Sequence, residues 1–356
     1  MGMALSLGRR GLGHVWPNPN VGCVIVRDGR VIGRGWTAAG GRPHAETRAL
    51  ADMDATGATA YVTLEPCAHH GKTPPCADAL IAAGIVRVVI GTGDPDPRVS
   101  GRGIERLRAA GIQVVVDVRQ DEARADMAGF LLRVRENRPW VTLKLAGSFD
   151  GRIATATGES KWITGPDARR TVHAMRARHD AVLVGAGTVR ADNPSLTVRG
   201  MGTTRQPVRI IASSKADFDA PVMMADIADA PVWLCHGTQA NTAPWTQAGA
   251  KSVPCAIKDR QVDPVDMMRK LADLGLTRVF CEGGGSLAAS LLSAGLVDEV
   301  VGFTAGVMLG AEGTPSVGAM GLDRLTDAPR FFLTETRAIG PDIMHRWHRA
   351  PVSSDL

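Results

Sequence analysis

Residues 44–76 read HAETRALADMDATGATAYVTLEPCAHHGKTPPC, and three of these residues can hold a metal ion. His44 supplies an imidazole, while Cys67 and Cys76 supply two thiolates. This mixture of nitrogen and sulfur ligands suits a borderline-soft cation such as zinc. Three protein ligands leave the fourth tetrahedral position open for water, which is the arrangement of a catalytic zinc site. The stretch therefore predicts a zinc centre shared by the ends of two helices and one strand.

Glu46 stands two residues after the histidine and is the expected proton carrier. Zinc lowers the pKa of a bound water, but a general base must still move the proton. A His-x-Glu motif followed by Pro-Cys-x-x-Cys is the signature of zinc-dependent nucleobase deaminases, in which the glutamate is not a ligand. Here eight residues separate Cys67 from Cys76 instead of two. This spacing restricts the number of deaminase families that the sequence can belong to, without excluding the class.

The bulk composition describes a globular protein of 356 residues with a formal net charge of +5. This length favours two domains, each able to bury its own core. No apolar run approaches the ~20 residues that cross a bilayer, and the N-terminal residues lack the pattern of a signal peptide. We therefore expect a cytoplasmic protein with no membrane partner, whose six cysteines are thiols that include the metal-binding pair.

Strand-like and helix-like segments alternate between Val21 and Val116, which predicts a sheet with helices on both faces. Pro43 is well placed at the start of a helix, and the pattern predicts that this helix extends to Met53. A second helix is expected to begin at Cys76, where the helix dipole favours a thiolate.

The domain boundary is predicted at Arg138-Pro139, where a charged helical pattern over residues 120–137 is interrupted. The predicted domains are therefore residues 1–138 and 139–356. The second domain again alternates strands and helices, with strands expected at Val141-Leu145, Ala181-Gly185, Val208-Ile211, Val232-Leu234, Arg278-Cys281 and Val300-Phe303.

A glycine-rich segment, Glu282-Gly283-Gly284-Gly285-Ser286, stands between a predicted strand and a predicted helix. Its glycines allow backbone N–H groups to face an anion, and the helix N-terminus favours negative charge. The segment predicts a phosphate cradle, with a flexible strand–helix turn as the alternative. No Gly-x-Gly-x-x-Gly motif follows a strand in this half, so a Rossmann dinucleotide site is not supported.

Further motifs stand in one order along nearly the whole chain: Pro17-Asn18-Pro19-Asn20-Val21-Gly22-Cys23, His44-Ala45-Glu46, the segment 63–76, Val99-Ser100-Gly101-Arg102-Gly103, Leu143-Lys144-Leu145, Ser148-Phe149-Asp150-Gly151, the segments 158–164 and 188–194, and Glu282-Gly283-Gly284. With these residues, the sequence resembles the bifunctional deaminase/reductase family of riboflavin biosynthesis. The spacing of eight residues between the two cysteines is also what this family has.

The resemblance implies an α/β protein, with a cytidine-deaminase-like three-layer α/β/α domain followed by a dihydrofolate-reductase-like α/β domain. The implied cofactors are Zn²⁺ and NADPH, the latter bound without a Rossmann motif. The family first removes an amino group from a diaminopyrimidinone that carries a phosphoribosylamino group. It then reduces the ribosyl group to ribityl by hydride transfer from NADPH. The implied partner is thus a phosphorylated pyrimidine, and a homo-oligomer is expected.

The resemblance also assigns site residues. Zinc is assigned to His44, Cys67 and Cys76, proton transfer to Glu46, and deaminase substrate contacts to Asn18, His69, Lys72 and Asp94. NADPH is assigned to Ala146, Trp162, Thr188, Asp192, Gly284 and one of Ser213 and Ser214. The reductase substrate is assigned to Lys144, Ser160, Arg176, Leu196, Arg199 and Glu282, with the arginines pairing with its phosphate.

Two residues depart from the family pattern. Asp96 stands where an asparagine is frequent, and a carboxylate cannot donate a hydrogen bond as an amide does. Thr37 stands where a histidine is frequent. Neither belongs to the zinc set.

Two alternative functions stay open. A deaminase of RNA or free nucleosides with an inactive C-terminal half would need an aromatic-lined basic channel, but this sequence contains one tyrosine and seven phenylalanines. We therefore expect no nucleic-acid partner. A structural metal site in a non-catalytic binding protein would need a fourth ligand, which His69 or His70 would have to supply.

Overall fold

The computed structural model describes residues 1–69, 74–96 and 99–350. The chain forms two compact units, Met1–Arg138 and a second unit that begins at Pro139. In the part of the chain that the structure describes, no helix combines the length and apolar character needed to cross a bilayer.

The first unit contains one five-stranded sheet. Its strands are β1 Gly22–Arg27, β2 Arg30–Trp36, β3 Thr59–Leu64, β4 Arg87–Thr92 and β5 Gln113–Val115, in the order β2-β1-β3-β4-β5. Strand β1 is antiparallel to β2 and β3, whereas β3, β4 and β5 are parallel. The helices are α1 Gly2–Gly8, α2 Ala45–Ala49, α3 Cys76–Ala82, α4 Arg102–Ala109, α5 Gln120–Asp126 and α6 Ala128–Glu136.

Close packing of α2 on β2 sets the position of the chain at His44. A Cβ atom on Gly35 of β2 would lie 2.1 Å from the Ala45 carbonyl oxygen, and one on Gly33 would lie 2.2 Å from the Ala49 carbonyl oxygen. Only glycine permits this approach of helix and strand backbones. The start of α2 is therefore held against the sheet, beside the C-terminal end of the buried strand β3.

Two predicted helices differ in the structure. Helix α2 ends at Ala49 instead of Met53, because Asp52 has a φ of 56° and left-handed backbone cannot continue an α-helix. The helical segment predicted over residues 120–137 is two helices, α5 and α6, which meet at Met127 with φ −103° and ψ 11°.

The second unit is built on a nine-stranded sheet. Its strands and those beside it are β6 Trp140–Ser148, β7 Arg152–Ala154, β8 Ala181–Gly185, β9 Val208–Ser213, β10 Val232–His236, β11 Lys251–Pro254, β12 Ile257–Lys258, β13 Gln261–Val262, β14 Arg278–Cys281, β15 Glu299–Ala305, β16 Thr314–Pro315, β17 Phe331–Ile339 and β18 Asp342–Arg349. The helices are α7 Pro166–Arg176, α8 Ala186–Asp192, α9 Pro221–Ala225, α10 Ala243–Gln247, α11 Pro264–Asp273 and α12 Gly285–Ser293.

The order of the large sheet is β11-β10-β9-β8-β14-β6-β15-β18-β17. The pairings from β11 to β15 are parallel, and β18 and β17 add an antiparallel hairpin. The strands expected between residues 141 and 303 are observed, but this hairpin was not predicted. Most residues of β17 are exposed on both faces of the strand. Its sequence therefore lacks the alternation of apolar and polar residues that predicts a half-buried strand.

The parallel strands direct their C-terminal ends to one edge of the sheet. Ser148, Gly185, Ser213 and Cys281 are the last residues of β6, β8, β9 and β14. Loops that follow such strand ends are the usual ligand-binding edge of an open α/β sheet. Several predicted reductase residues, such as Ser213, Glu282 and Gly284, lie at or just after these strand ends, whereas Lys144 and Ala146 lie within β6.

Candidate active sites

The predicted zinc ligands meet in the first unit. His44 caps the N-terminus of α2 with extended backbone, Cys67 follows β3, and Cys76 is the first residue of α3. The His44 Nδ1 atom lies 3.2 Å from the Cys76 Sγ atom and 3.7 Å from the Cys67 Sγ atom. The three ligand atoms all lie within 4.8 Å of one another.

This donor set fits a zinc ion. Tetrahedral zinc, with bonds of about 2.0–2.3 Å, holds its ligand atoms roughly 3.3–3.8 Å apart, which is close to the two nitrogen–sulfur distances. Hydrogen bonds from the Cys76 side chain, from His44 and from the Cys76 backbone N–H lower the pKa of Cys67 to about 4, although burial opposes the shift. The site therefore already stabilises one of the two thiolates that a zinc ion requires.

Glu46 is placed for proton transfer beside these ligands. Its side chain is buried, with 4% of the residue exposed, and together with His44 and Cys67 it lines a cavity of about 240 Å³. Burial raises the pKa of the Glu46 carboxyl to about 7, although a hydrogen bond from its own backbone N–H opposes the shift. A carboxyl group in such surroundings can exchange a proton near neutral pH.

The same cavity brings together three of the four predicted substrate contacts, namely Asn18, His69 and Asp94. The buried Nδ1 atom of His69 has no hydrogen-bond partner within the described ranges, so it is available to a ligand. Burial raises the pKa of the Asp94 carboxyl to about 6. The fourth predicted contact, Lys72, lies outside the described residues, as does His70.

The cavity also contains residues that the sequence did not identify as site residues. Arg42 lines the cavity, and its position directly before Pro43-His44 could have identified it as a site residue from the sequence. Thr37 and Asp96, the two departures from the family pattern, line it as well. The Thr37 hydroxyl accepts a hydrogen bond from Val21 N and donates one to the Pro19 carbonyl, each at 3.0 Å. Thr37 thus holds the loop that carries Asn18.

Glu65 is a second residue that the sequence did not identify. Its carboxylate accepts hydrogen bonds from the backbone N–H groups of Asp94, Gly101, Gly103 and Ile104, at distances of 2.9–3.4 Å. Glu65 therefore ties the loop that carries Asp94, and the first turn of α4, to the end of β3.

In the second unit, Arg176 on α7 forms a buried ion pair with Glu282 after β14. The Arg176 Nε atom lies 2.5 Å from Glu282 Oε1, and Nη2 lies 3.0 Å from Oε2. The third nitrogen, Nη1, donates to the Thr197 carbonyl at 2.9 Å. Burial lowers the pKa of Lys144 on β6, whereas the negative charge of Glu282 opposes that shift. Lys144, Arg176 and Glu282 are thus brought together as predicted, but the arginine is already paired.

Arg199, by contrast, is exposed. Its Nη1 atom donates to the Ser195 hydroxyl at 2.7 Å, and its backbone N–H donates to His173. Leu196, between these residues, is buried and has a φ of 55°. Ser160 lies in the loop that leads to α7.

A second cavity, of about 670 Å³, lies at the C-terminal ends of β8 and β9. The predicted NADPH residues Ser213 and Ser214 line it, together with the first turns of α8 and α12. Thr188 and Gly284 are joined by a hydrogen bond of 3.2 Å from the Gly284 N–H to the Thr188 hydroxyl. The other predicted NADPH residues do not line this cavity, namely Ala146, Trp162, Thr188, Asp192 and Gly284. Its volume and its glycine, serine and cationic lining fit a phosphorylated nucleotide.

Two family models match the chain. Residues 1–92 match the cytidine and deoxycytidylate deaminase zinc-binding region, and residues 139–345 match the RibD C-terminal domain. The riboflavin biosynthesis protein RibD of Escherichia coli is 43% identical over 357 residues, covering 96% of each chain.

The chain belongs to the RibD family.

Other relatives agree with this assignment. RibD of Aquifex aeolicus is 39% identical, covering 97% of this chain and 96% of its own. A solved deaminase/reductase from Thermotoga maritima, described as a diaminohydroxyphosphoribosylaminopyrimidine deaminase and 5-amino-6-(5-phosphoribosylamino)uracil reductase, is 37% identical with a TM-score of 0.87, covering 98% of this chain and 97% of its own. A structure of Acinetobacter baumannii RibD is 35% identical with a TM-score of 0.88, with the same coverage.

Membership of the RibD family confirms the resemblance seen in the sequence and the predicted α/β fold class. The protein is a bifunctional enzyme of riboflavin biosynthesis, with a deaminase domain of the zinc-binding type and a reductase domain. The group of His44, Cys67 and Cys76 lies in the zinc-binding part of this fold.

Proposed function

We propose that the deaminase removes an amino group from 2,5-diamino-6-(5-phosphoribosylamino)pyrimidin-4-one by hydrolysis. The reductase then uses NADPH to reduce the ribosyl side chain of the product to ribityl. The names of the two activities of the Thermotoga relative support this choice of substrate. The observation that carries the proposal is the buried Glu46 carboxyl beside His44, Cys67 and Cys76, at a cavity of about 240 Å³.

For the deaminase, His44, Cys67 and Cys76 would hold the zinc ion. Zinc at such a site lowers the pKa of water towards neutrality and so supplies a nucleophile. The Glu46 carboxylate takes a proton from the attacking water and delivers it to the departing amino group, which leaves as ammonia. Asn18, His69 and Asp94, together with Lys72, orient the pyrimidine, and the buried surroundings of Glu46 exclude bulk water from the transfer.

For the reductase, NADPH supplies the hydride, and the protein positions donor and acceptor. Arg199 pairs with the substrate phosphate, while Lys144, Ser160, Leu196 and the Arg176–Glu282 pair form the remainder of the substrate site. The NADPH residues in this proposal are Ala146, Trp162, Thr188, Asp192, Ser213, Ser214 and Gly284.

We also propose that the two activities separate at Arg138-Pro139, because the matched family regions and the two compact units both fall on either side of this point. Expressed separately, residues 1–138 should release ammonia, and residues 139–356 should oxidise NADPH when given the deaminated intermediate. The expected cytoplasmic location and homo-oligomeric state stay predictions.

A coupled assay on the full chain tests the proposed function. The phosphoribosylamino-pyrimidine is supplied with NADPH, and ammonia release and NADPH oxidation are followed separately, with and without a zinc chelator. Ammonia should appear first and NADPH consumption should follow. The chelator should abolish both steps with this substrate, yet leave NADPH oxidation intact when the deaminated intermediate is supplied.

Other outcomes identify the alternatives. If ammonia is released but NADPH is not oxidised, even when the deaminated intermediate is supplied, the C-terminal half has a different function. Absence of both reactions, with zinc held by four protein ligands, would show that the metal site is structural.

A further inference from the structure

The order of the reductase strands shows which end of a bound dinucleotide would lie at which strand. The neighbouring strands are β6, β14, β8 and β9, and the proposed substrate residues Lys144 and Glu282 belong to β6 and the end of β14. The glycine turn at Gly284 comes after β14. Thr188, whose hydroxyl bonds to it, lies on α8 directly after β8. The turn after β9 is two strands beyond β14, which is roughly 10 Å at about 4.8 Å per strand.

A dinucleotide whose reactive ring faces Lys144 and Glu282 therefore extends its far end towards the turn after β9. The cavity of about 670 Å³ lies there. Its lining contains three cationic side chains from three different elements: Arg190 of α8, Lys215 after β9, and Arg260 between β12 and β13. This end of the site is therefore suited to a negatively charged group.

The three cations differ in their partners. Arg190 lies 3.7 Å from the carboxylate of Asp217, which also lines the cavity, so its charge is partly neutralised. Lys215 and Arg260 are exposed, and neither has a carboxylate within ion-pair distance among the residues that the structure describes. Lys215 and Arg260 are the two cations that an incoming anion can pair with directly.

The backbone holds both residues in defined turns. The Ser213 hydroxyl accepts a hydrogen bond from Ala216 N at 3.0 Å, which closes the turn around Ser214 and Lys215. Arg260 occupies the second position of the two-residue turn that joins β12 and β13, with a φ of 66°. Glycine is the usual residue at such a position, so an arginine adopts this conformation at a cost in backbone energy.

We propose that Lys215 and Arg260 bind the 2′-phosphate of the adenosine ribose and thereby select NADPH over NADH. This inference rests on the proposed use of a nicotinamide dinucleotide by the reductase. The 2′-phosphate is the one group that distinguishes the two cofactors. A selective site therefore needs positive charge at the adenosine end, which is where these two side chains lie.

Binding of nucleotide fragments to the full-length protein tests the inference without any turnover. The probes are 2′-AMP and 5′-AMP, isomers of equal charge, measured by titration calorimetry. We expect Lys215→Gln and Arg260→Gln each to weaken 2′-AMP binding about tenfold, the loss of one charge-assisted hydrogen bond, and to leave 5′-AMP within about twofold. KM for NADPH should rise, whereas KM for NADH and for the pyrimidine substrate should stay unchanged.

Lys258→Gln is the matched control. Lys258 belongs to the same hairpin as Arg260 and lines the adjoining cavity but not this one, so its loss should leave both affinities nearly unchanged. Arg260→Gly removes the side chain while favouring the left-handed turn, and it should reproduce Arg260→Gln.

Equal 2′-AMP affinities in the Lys215, Arg260 and Lys258 variants would overturn the inference and leave the proposed function standing. A raised KM for the pyrimidine substrate alone would assign the cations to its phosphate instead. If the unsubstituted protein binds no NADPH, both proposals fail.

Discussion

Arg176 and Arg199 carry the same charge, but their guanidinium groups have different partners and different exposure. The guanidinium of Arg176 is committed to Glu282 and to the Thr197 carbonyl, and 12% of its side chain and 8% of that of Glu282 are exposed. Arg199 is exposed, and its guanidinium donates a hydrogen bond to the neutral Ser195 hydroxyl. Arg199 is thus the better candidate for the substrate phosphate, whereas the guanidinium of Arg176 is already paired with Glu282.

Replacing each arginine by alanine should separate these tasks. Arg199→Ala should raise the reductase KM for the deaminated substrate about tenfold or more, with an unchanged melting temperature. Arg176→Ala leaves a buried carboxylate unpaired and should lower the free energy of unfolding by about 3–5 kcal/mol. Steady-state kinetics and thermal unfolding measure the two effects. Normal reductase kinetics in Arg199→Ala would contradict the assignment.

Glu46 is the proposed proton carrier of the deaminase. Glu46→Gln keeps the shape of the side chain but removes its ability to take a proton, so deamination should fall by roughly 10²–10⁴-fold. Zinc content, measured by metal analysis, should stay at the unsubstituted level because Glu46 is not a ligand. NADPH oxidation with the deaminated intermediate is the internal control, and it should be normal. Full deaminase activity in this variant would refute the proton-transfer role.

At the scale of elements, Glu65 joins three parts of the deaminase unit. It stands at the end of β3, two residues before the proposed zinc ligand Cys67, and its carboxylate accepts from four backbone N–H groups between Asp94 and Ile104. A buried N–H group that loses its acceptor costs about 1–3 kcal/mol. The position of Asp94 therefore depends on an acidic side chain 29 residues earlier in the sequence.

Glu65→Gln should loosen this loop without removing the metal. One carboxylate oxygen becomes an amide that cannot accept, so we expect a several-fold rise in the deaminase KM and faster tryptic cleavage at Arg102. The matched control is Glu105→Gln, because Glu105 is exposed on α4. Zinc content should be normal in both variants. Identical kinetics and cleavage in the two would show that Glu65 does not organise the loop.

At the scale of the whole molecule, a buried polar network joins the strands of the reductase sheet. Glu299 of β15 accepts a hydrogen bond from Thr142 of β6 and pairs with Arg346 of β18. The Thr142 hydroxyl also lies 3.1 Å from His179 Nε2, and His179 Nδ1 lies 2.7 Å from the Met175 carbonyl. Burial lowers the pKa of His179 to about 4.

This shift predicts how stability changes with pH. The folded-state pKa of His179 is below the value of about 6.5 in an unfolded chain, so the unfolded state binds the proton more readily. The stabilising contribution is complete above about pH 6.5 and decreases as the pH falls towards 4, by up to about 3 kcal/mol. His179→Gln should flatten this part of the profile, as measured by urea unfolding between pH 4 and pH 7. Equal slopes in the two proteins would contradict the prediction.

The sequence by itself was sufficient for the fold class, and it predicted the zinc ligands and the proton carrier. His44 and Glu46 stand at a helix start, and Cys67 and Cys76 at a strand end and a second helix start, so the chemistry could be identified from residue types and short spacings. The remaining motifs occur in one order along the chain, which was sufficient for the family resemblance.

Only the tertiary structure decided which side chains meet across elements. The Arg176–Glu282 pair spans 106 residues, and Lys215 and Arg260 reach one cavity from two separate turns. Neither could be predicted, because the partners of a side chain depend on the order of strands in the sheet. In the reductase, β14 lies between β8 and β6, although it follows β13 in the chain. Local sequence patterns specify the buried parallel strands, whereas the order of the strands results from packing of the complete chain.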